Sequence, residues 1–178
     1  MRVISGTARG HKLTAPGGKN TRPTGDRMKE DLFNILAPEV GGAYFLDLYC
    51  GSGAIGIEAL SRGADSAVFV DESEDAIAVT KENLAKTRLS DRAEVLLMSD
   101  KTAQEKLADR VFDIIFMDPP YNSGITWVDL PCRILVVECP LNAQITGTPY
   151  RQKKYAQMQY VFYEISGEVK NSDSNISR

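Results

Sequence analysis

The chain has 178 residues, of which 43% are hydrophobic, so it is long enough to bury one substantial core but short for two independent ones. No stretch approaches about 18 uninterrupted apolar residues and the first residues lack the apolar run of a signal peptide, so we expect a cytoplasmic protein without a membrane span. Cys50, Cys132 and Cys139 lack C-x-x-C spacing, so neither a disulfide framework nor a metal site is expected.

The formal net charge of −3 does not indicate a partner, but the charge is unevenly distributed along the chain. Residues 1–29 contain seven basic residues against Asp26 alone, which gives this segment +6 and leaves −9 for the remainder. Residues 1–14 are predicted to form short strands and turns that contribute nothing to a buried core. A basic arm ahead of an acidic body is suited to contact phosphates, although a solvated, flexible N-terminus has the same composition. We therefore predict a basic extension over residues 1–24.

The first helix is predicted from Asp26 to Leu36, where apolar residues recur at helical spacing. Either Thr24 or Asp26 can serve as its N-cap. Arg27 and Lys29 are expected to face outward, because they lie between the apolar positions.

The rest of the chain alternates apolar strands with helical segments. Strands are predicted at 43–49, 66–71, 93–100, 111–118, 133–138 and 159–165, and helices at 54–62 and 73–89. Strands this apolar, separated by helices, are typical of a parallel sheet covered on both faces. We therefore predict an α/β fold with a doubly wound, mostly parallel sheet and a small β-rich N-terminal extension. The main domain is expected over residues 25–166, and the polar residues 167–178 are predicted to be a disordered tail.

A glycine-rich turn follows the first strand of this domain, in the segment Asp47-Leu-Tyr-Cys-Gly51-Ser-Gly53-Ala-Ile-Gly56. Residues without side chains let the backbone approach a ligand and present amide groups at the N-terminus of the next helix. Gly51 and Gly53 are therefore predicted to bind a cofactor. The same spacing fits a dinucleotide site, so a nicotinamide-dependent oxidoreductase stays open at this point.

Acidic residues at the strand ends favour S-adenosylmethionine instead. Asp47 places a negative charge where the ammonium of that cofactor's amino-acid portion would lie, and where a pyrophosphate would be repelled. Asp71 follows the glycines by about 20 residues, the position from which an acid binds a ribose diol. Asp100 is a candidate for the adenine amino group, although an ordinary loop acid would explain it equally well.

A second motif, Asp118-Pro119-Pro120-Tyr121, follows the fourth predicted strand. The prolines restrict the backbone and remove amide donors, so hydrogen-bond acceptors remain. An exocyclic amino group of a base is a weak nucleophile until acceptors bind both of its protons. Asp118 and the Pro119 carbonyl are predicted to accept those protons, and Tyr121 to stack on the base.

Both motifs together resemble the bacterial 16S ribosomal RNA guanine-N2 methyltransferases. The resemblance covers about residues 1–122, including MRVISGTARGHKL, TRPTGDRMKEDLFNIL, LDLYCGSGAIGIEALSRGA, FVDESEDA and FDIIFMDPPY. It implies a Rossmann-like class I methyltransferase fold, S-adenosylmethionine as cofactor, and 16S ribosomal RNA or the small ribosomal subunit as partner. It also implies a guanine acceptor in RNA, and the basic extension, whose charge is suited to phosphates, is predicted to contact that RNA. The family's motif positions fall on Asp47, Gly51, Gly53, Asp71, Asp118, Pro119 and Tyr121.

Alternative functions remain open at this stage. An adenine-N6 methyltransferase of DNA or RNA would use the same proline motif, because that motif does not distinguish planar amines. A glutamine-N5 protein methyltransferase is disfavoured, since an Asn-led motif is expected there. Only residues 122–133 separate the motif from RILVVE, which is short for a full helix, so a catalytically impaired homologue that binds cofactor and RNA is a further alternative.

Overall fold

The computed structural model describes residues 1–17, 25–120 and 128–165. Its helices are α1 (Asp26–Ile35), α2 (Ala37–Val40), α3 (Ala54–Ser61), α4 (Glu74–Thr87) and α5 (Asp100–Lys106), with a 3-10 turn at Ser90–Arg92. Its strands are β1 (Tyr44–Leu48), β2 (Ser66–Asp71), β3 (Ala93–Leu97), β4 (Phe112–Met117), β5 (Cys132–Pro140), β6 (Arg151–Lys154) and β7 (Met158–Glu164). No helix in these ranges is long and apolar enough to cross a membrane.

The strands form one seven-stranded sheet in the order β3-β2-β1-β4-β5-β7-β6. The first five strands in this order pair in parallel, whereas β7 is antiparallel to β5 and β6 is antiparallel to β7. The α/β, mostly parallel prediction is therefore confirmed. The parallel strands all end at one edge of the sheet, which we call the carboxyl edge. Because the chain order reverses between β1 and β4, a ligand crevice is expected there.

Helices cover both faces of the sheet, as a doubly wound fold requires. Alternate residues of β1 pack on opposite faces: Phe45 joins the core under α1, α3 and α4, whereas Leu46 and Leu48 join the core under α5. Strands buried on both faces need apolar residues at successive positions, which explains their continuous apolar runs.

The N-terminal segment contributes to the core, so the expectation that residues 1–14 stay outside it was wrong. Val3, Ala8 and Leu13 are buried in the same core as α1 and α3. An antiparallel bridge between Arg2 and Lys12 folds the segment back on itself. Apolar residues five positions apart follow neither helical nor strand periodicity, which is why the pattern did not reveal them.

Lys29 is buried rather than outward-facing, which corrects a second prediction. Its ammonium donates to the Arg2 carbonyl at 2.6 Å and lies 3.2 Å from the Glu58 carboxylate. Arg62 donates to the other oxygen of Glu58 at 2.7 Å. Arg27 is exposed, as predicted. Burial lowers the pKa of the Lys29 ammonium, and the neighbouring Glu58 opposes that shift.

The start of α1 differs from the prediction, whereas the start of α4 agrees with it. Gly25 is the N-cap of α1 and makes no side-chain capping bond, so Asp26 is the first helical residue rather than the cap; Thr24 lies outside the described residues. Ser73 caps α4 by accepting from the Ala76 amide at 3.3 Å. Helix α5 and strand β6 were not predicted, because both are polar and have few apolar residues to set a period.

Candidate active site

A cleft of about 170 Å³ opens at the carboxyl edge, between the ends of β1, β2 and β3 and the start of the proline motif. Apolar and acidic side chains line it together, namely Leu48, Tyr49, Val70, Asp71, Glu72, Met98, Asp100 and Pro120. Asp71 and Asp100, which were predicted to bind cofactor, therefore share one opening with Pro120 of the proline motif. The other predicted site residues that the structure describes are not part of the cleft lining, namely Asp47, Gly51, Gly53, Asp118 and Pro119. The described residues contain no group of three His, Cys, Asp or Glu side chains placed to hold a metal ion.

The glycine-rich turn joins the end of β1 to the start of α3, at the carboxyl edge of the sheet. Gly51 and Gly53 have φ values of +54° and +73°, and Gly53 is the N-cap of α3. Gly56 has a different role: a Cβ at this position would lie 2.3 Å from the Phe69 ring, so only glycine lets α3 pack this closely on β2. The third glycine of the motif is thus explained by helix–strand packing.

Asp71 connects two loops at the carboxyl edge. One carboxylate oxygen accepts from the Gly51 amide and the other from the Ser73 amide, each at 2.9 Å. A carboxylate has about four acceptor sites, so capacity for further hydrogen bonds remains. Asp71 lines the cleft, which is the position that its predicted ribose role requires.

Asp47 is enclosed behind the cleft instead of lining it. It is 1% exposed, and its carboxylate accepts from the Gly56 amide at 2.8 Å, which ties the first turn of α3 to β1. Burial raises the pKa of Asp47 to about 8, and the nearby charges of Asp118 and Asp71 add to that effect while the Gly56 amide opposes it. A nearby cation would favour its charged form.

Asp100 and Tyr49 both line the cleft and are joined by a hydrogen bond. Asp100 is the first residue of α5 rather than the end of β3, and it accepts a hydrogen bond from the Tyr49 hydroxyl at 2.9 Å. Tyr49 has φ of +70°, a left-handed conformation that is strained for a residue with a large side chain. The hydrogen bond to Asp100 holds the Tyr49 ring in the cleft wall, directly before the glycine turn.

Asp118 and Pro119 follow β4 immediately, and Pro120 reaches the cleft wall. Asp118 is partly exposed and Pro119 is buried. Burial of the carboxylate raises the pKa of Asp118 to about 6, so the group is mostly ionised at neutral pH. Tyr121 lies outside the described residues, as does most of the short segment before β5.

Several cleft residues were missed by the sequence reasoning, above all Tyr49 and Glu72. Both lie at the end of a parallel strand, beside residues that were selected. Ligands in open α/β sheets bind at the carboxyl ends of the strands, so every polar side chain within two residues of a strand end is a candidate. Applying that rule throughout would have found both.

Two curated relatives are ribosomal RNA methyltransferases by name. A Bacillus subtilis protein named as a candidate rRNA methyltransferase is 46% identical over 124 residues, which cover 68% of this chain and 67% of the relative. The ribosomal RNA small subunit methyltransferase D of Haemophilus influenzae is 38% identical over 127 residues, covering 70% of this chain and 66% of the relative. The matched part of the chain thus spans about two thirds of the length of these relatives.

A solved structure is similar over nearly its whole length. A candidate methyltransferase from Escherichia coli superposes with a TM-score of 0.77 and 32% identity, covering 92% of this chain and 97% of that one. The family model described as conserved hypothetical protein 95 matches residues 1–164, which extends the resemblance beyond residue 122 through β5, β6 and β7. The chain therefore belongs to the conserved hypothetical protein 95 family, and within it to the ribosomal RNA small subunit methyltransferase D type.

Proposed function

We propose that this protein transfers a methyl group from S-adenosylmethionine to ribosomal RNA of the small subunit, and that the acceptor is the exocyclic N2 of a guanine in 16S ribosomal RNA. One observation carries the proposal: the Asp118-Pro119-Pro120 segment begins where β4 ends and adjoins the acidic cleft through Pro120. The names of the relatives support ribosomal RNA as the substrate. The guanine N2 position is supported by the resemblance of the motifs.

The lining of the cleft suits S-adenosylmethionine in its chemistry and charge. Leu48, Val70 and Met98 offer apolar walls for an adenine ring, while Asp71 and Glu72 supply acceptors for ribose hydroxyls. Asp100, which also lines the cleft, is the proposed acceptor for the adenine amino group. The cofactor carries a sulfonium and an ammonium, which an acidic cleft favours, whereas the pyrophosphate of a nicotinamide dinucleotide would be repelled. This charge favours a methyltransferase over an oxidoreductase.

The Asp118 segment supplies what an exocyclic amine needs. Because the pKa of Asp118 is about 6, its carboxylate is available at neutral pH to accept one N–H of the amine, and the Pro119 carbonyl is the proposed acceptor for the other. These two bonds orient the nitrogen lone pair towards the cleft. The bound cofactor supplies an electrophilic methyl group on sulfur. The Asp118 carboxylate would receive the proton that the amine nitrogen loses when the methyl group moves from the cofactor's sulfur to that nitrogen.

Asp47 has a proposed supporting role in cofactor binding. Its carboxylate is buried beneath the glycine turn, and a pKa of about 8 means that it carries little charge until a cation approaches. The ammonium of the cofactor's amino-acid portion is such a cation. Gly51 and Gly53 let the turn come close to that portion of the ligand.

The test is methyl transfer by the purified full chain with methyl-labelled S-adenosylmethionine. The acceptors are naked 16S ribosomal RNA and small subunits from cells that lack this gene, and the product is digested to nucleosides and identified by mass spectrometry. We expect N2-methylguanosine from at least one acceptor. Formation of N6-methyladenosine would instead indicate an adenine-N6 methyltransferase. Cofactor binding without any methylated product would indicate a catalytically impaired homologue. Tight binding of NADH, together with no measurable binding of S-adenosylmethionine, would refute the proposal that S-adenosylmethionine is the cofactor.

A further inference from the structure

Three basic residues outside the cleft have no role in the proposed methyl transfer. They are Arg27 on α1 and Lys153 and Lys154 on β6, beside the half-buried ring of Tyr155, and we call these four residues the basic rim. Tyr155 donates its hydroxyl hydrogen to Asp31 at 3.1 Å, and Lys153 lies 3.5 Å from the same carboxylate, which joins β6 to α1. Arg27 lies one helical turn before Asp31, close to Tyr155.

Strand register places Lys154 of the basic rim at the same level as the acceptor motif. Lys154 is opposite Gln159, and Gln159 is opposite Cys139 on β5. Met117 pairs with Val137, so continuing that register brings Pro119 level with Cys139. Lys154 and Pro119 are therefore separated by three strand spacings of about 4.8 Å, or about 14 Å, along the carboxyl edge.

Charge divides the carboxyl edge into two parts. The acids of the cleft are Asp71 and Glu72 at the end of β2 and Asp100 at the start of α5, whereas Lys153 and Lys154 lie on β6 at the other end of the sheet. A polyanion is repelled by the first part and attracted by the second. Arg27 and Lys154 are exposed, and in the part of the chain that the structure describes neither has a carboxylate within 4.0 Å.

We propose that the basic rim binds phosphates of the RNA strand that flanks the methylated base. This inference rests on the proposed function, because it is the acceptor motif that fixes where the target base lies. A base turned into the site beside Asp118 leaves its neighbouring nucleotides running along the carboxyl edge. The basic rim holds that strand, and the acidic cleft keeps it away from the cofactor. Phosphate contacts of this kind position the substrate without reading its sequence.

Lysines on an edge strand have another common role, which is to block edge-to-edge aggregation. β6 is the last strand of the sheet, so this role predicts an effect of substitution on solubility alone. It does not account for Arg27, which lies on a helix, or for the alignment of Lys154 with Pro119. The two explanations differ in their effect on RNA affinity.

The experiment compares the double variant Arg27→Ala/Lys154→Ala with a matched control, Lys81→Ala/Lys106→Ala. The control removes two exposed lysines from α4 and α5, which cover the other end of the sheet. Binding of a fluorescently labelled oligouridine is measured over a salt series, because this probe reports phosphate contacts without base recognition. S-adenosylmethionine affinity, measured by calorimetry, checks that each variant is folded.

Loss of two phosphate contacts is expected to flatten the plot of log affinity against log salt by about 1.4 units, with no such change in the control. The KM for ribosomal RNA should rise while kcat is retained. Equal slopes in the variant, the control and the wild type would overturn the inference, as would a loss of solubility as the only effect. If the wild type binds oligouridine but methylates no ribosomal RNA, the proposed function fails, and the slopes still report whether the surface binds phosphates. A wild type that binds no RNA overturns both.

Discussion

Glu58 is expected to be one of the most sensitive positions for stability in this chain. It is fully buried and accepts four hydrogen bonds: from the Ile4 amide at 2.8 Å, the Ser5 amide at 3.0 Å, Lys29 at 3.2 Å and Arg62 at 2.7 Å. The change Glu58→Gln removes the charge and turns an NH2 group towards donors. Lys29 is then left as a buried cation without a counter-charge.

The expected loss is about 3–5 kcal/mol of unfolding free energy, the range for removing one partner of a buried ion pair. That is a large part of the roughly 5–15 kcal/mol by which a domain is usually stable. The assay is equilibrium unfolding in urea at pH 7. Glu82→Gln is the control, because Glu82 forms an exposed pair with Lys86 on α4, and its midpoint should match the wild type. A Glu58→Gln protein whose unfolding free energy falls by less than about 1 kcal/mol would refute this reasoning.

Three further predictions concern the proposed activity. Because the pKa of Asp118 is about 6 and the charged form accepts the amine proton, the methyl-transfer rate should rise with pH through about 6 and then level off; Asp118→Ala should lose at least about 100-fold at pH 7.5 with cofactor affinity retained. A rate profile without an inflection near that pH contradicts the assigned role. Asp71→Ala should weaken S-adenosylmethionine binding by about 1–3 kcal/mol in calorimetry, since the ribose loses a charged acceptor, and unchanged affinity would remove Asp71 from the site. The exposed Arg9 and Lys12 of the N-terminal extension, changed together to Ala, should flatten the salt dependence of RNA binding by about 1.4 units if both contact phosphates; an unaltered slope would leave the extension with a structural role only.

The sheet was predictable from the sequence because its strands are continuous apolar runs. β2 was predicted at its observed bounds, Ser66–Asp71, and the start of α4 followed from Ser73. Polar elements such as β6 were not predictable in this way. β6 is an edge strand of four polar residues that owes its conformation to hairpin pairing with β7, and its sequence has no apolar alternation that would indicate a strand.

Buried charge was the other limit of sequence reasoning. Lys29 was assigned to the surface because it lies between the apolar positions of the first helix, and only the folded arrangement brings Glu58 beside it. The N-terminal segment was misplaced for a related reason, since it is held by hydrogen bonds of its backbone amides to Glu58. The candidate site was easier to predict from the sequence, because glycine turns and acids at strand ends have fixed places in a parallel sheet. Tyr49 was missed because only acids and glycines were selected around the glycine turn, although Tyr49 directly follows β1.

The most direct test of the central claim is a comparison of ribosomal RNA nucleosides from cells with and without the gene, by quantitative mass spectrometry of purified 16S ribosomal RNA. We predict that N2-methylguanosine falls in the deletion strain, is restored by the wild-type gene, and is not restored by the Asp118→Ala variant expressed at the same level. An unchanged N2-methylguanosine content, or a loss of N6-methyladenosine in its place, would contradict the assignment of this protein as a guanine-N2 methyltransferase.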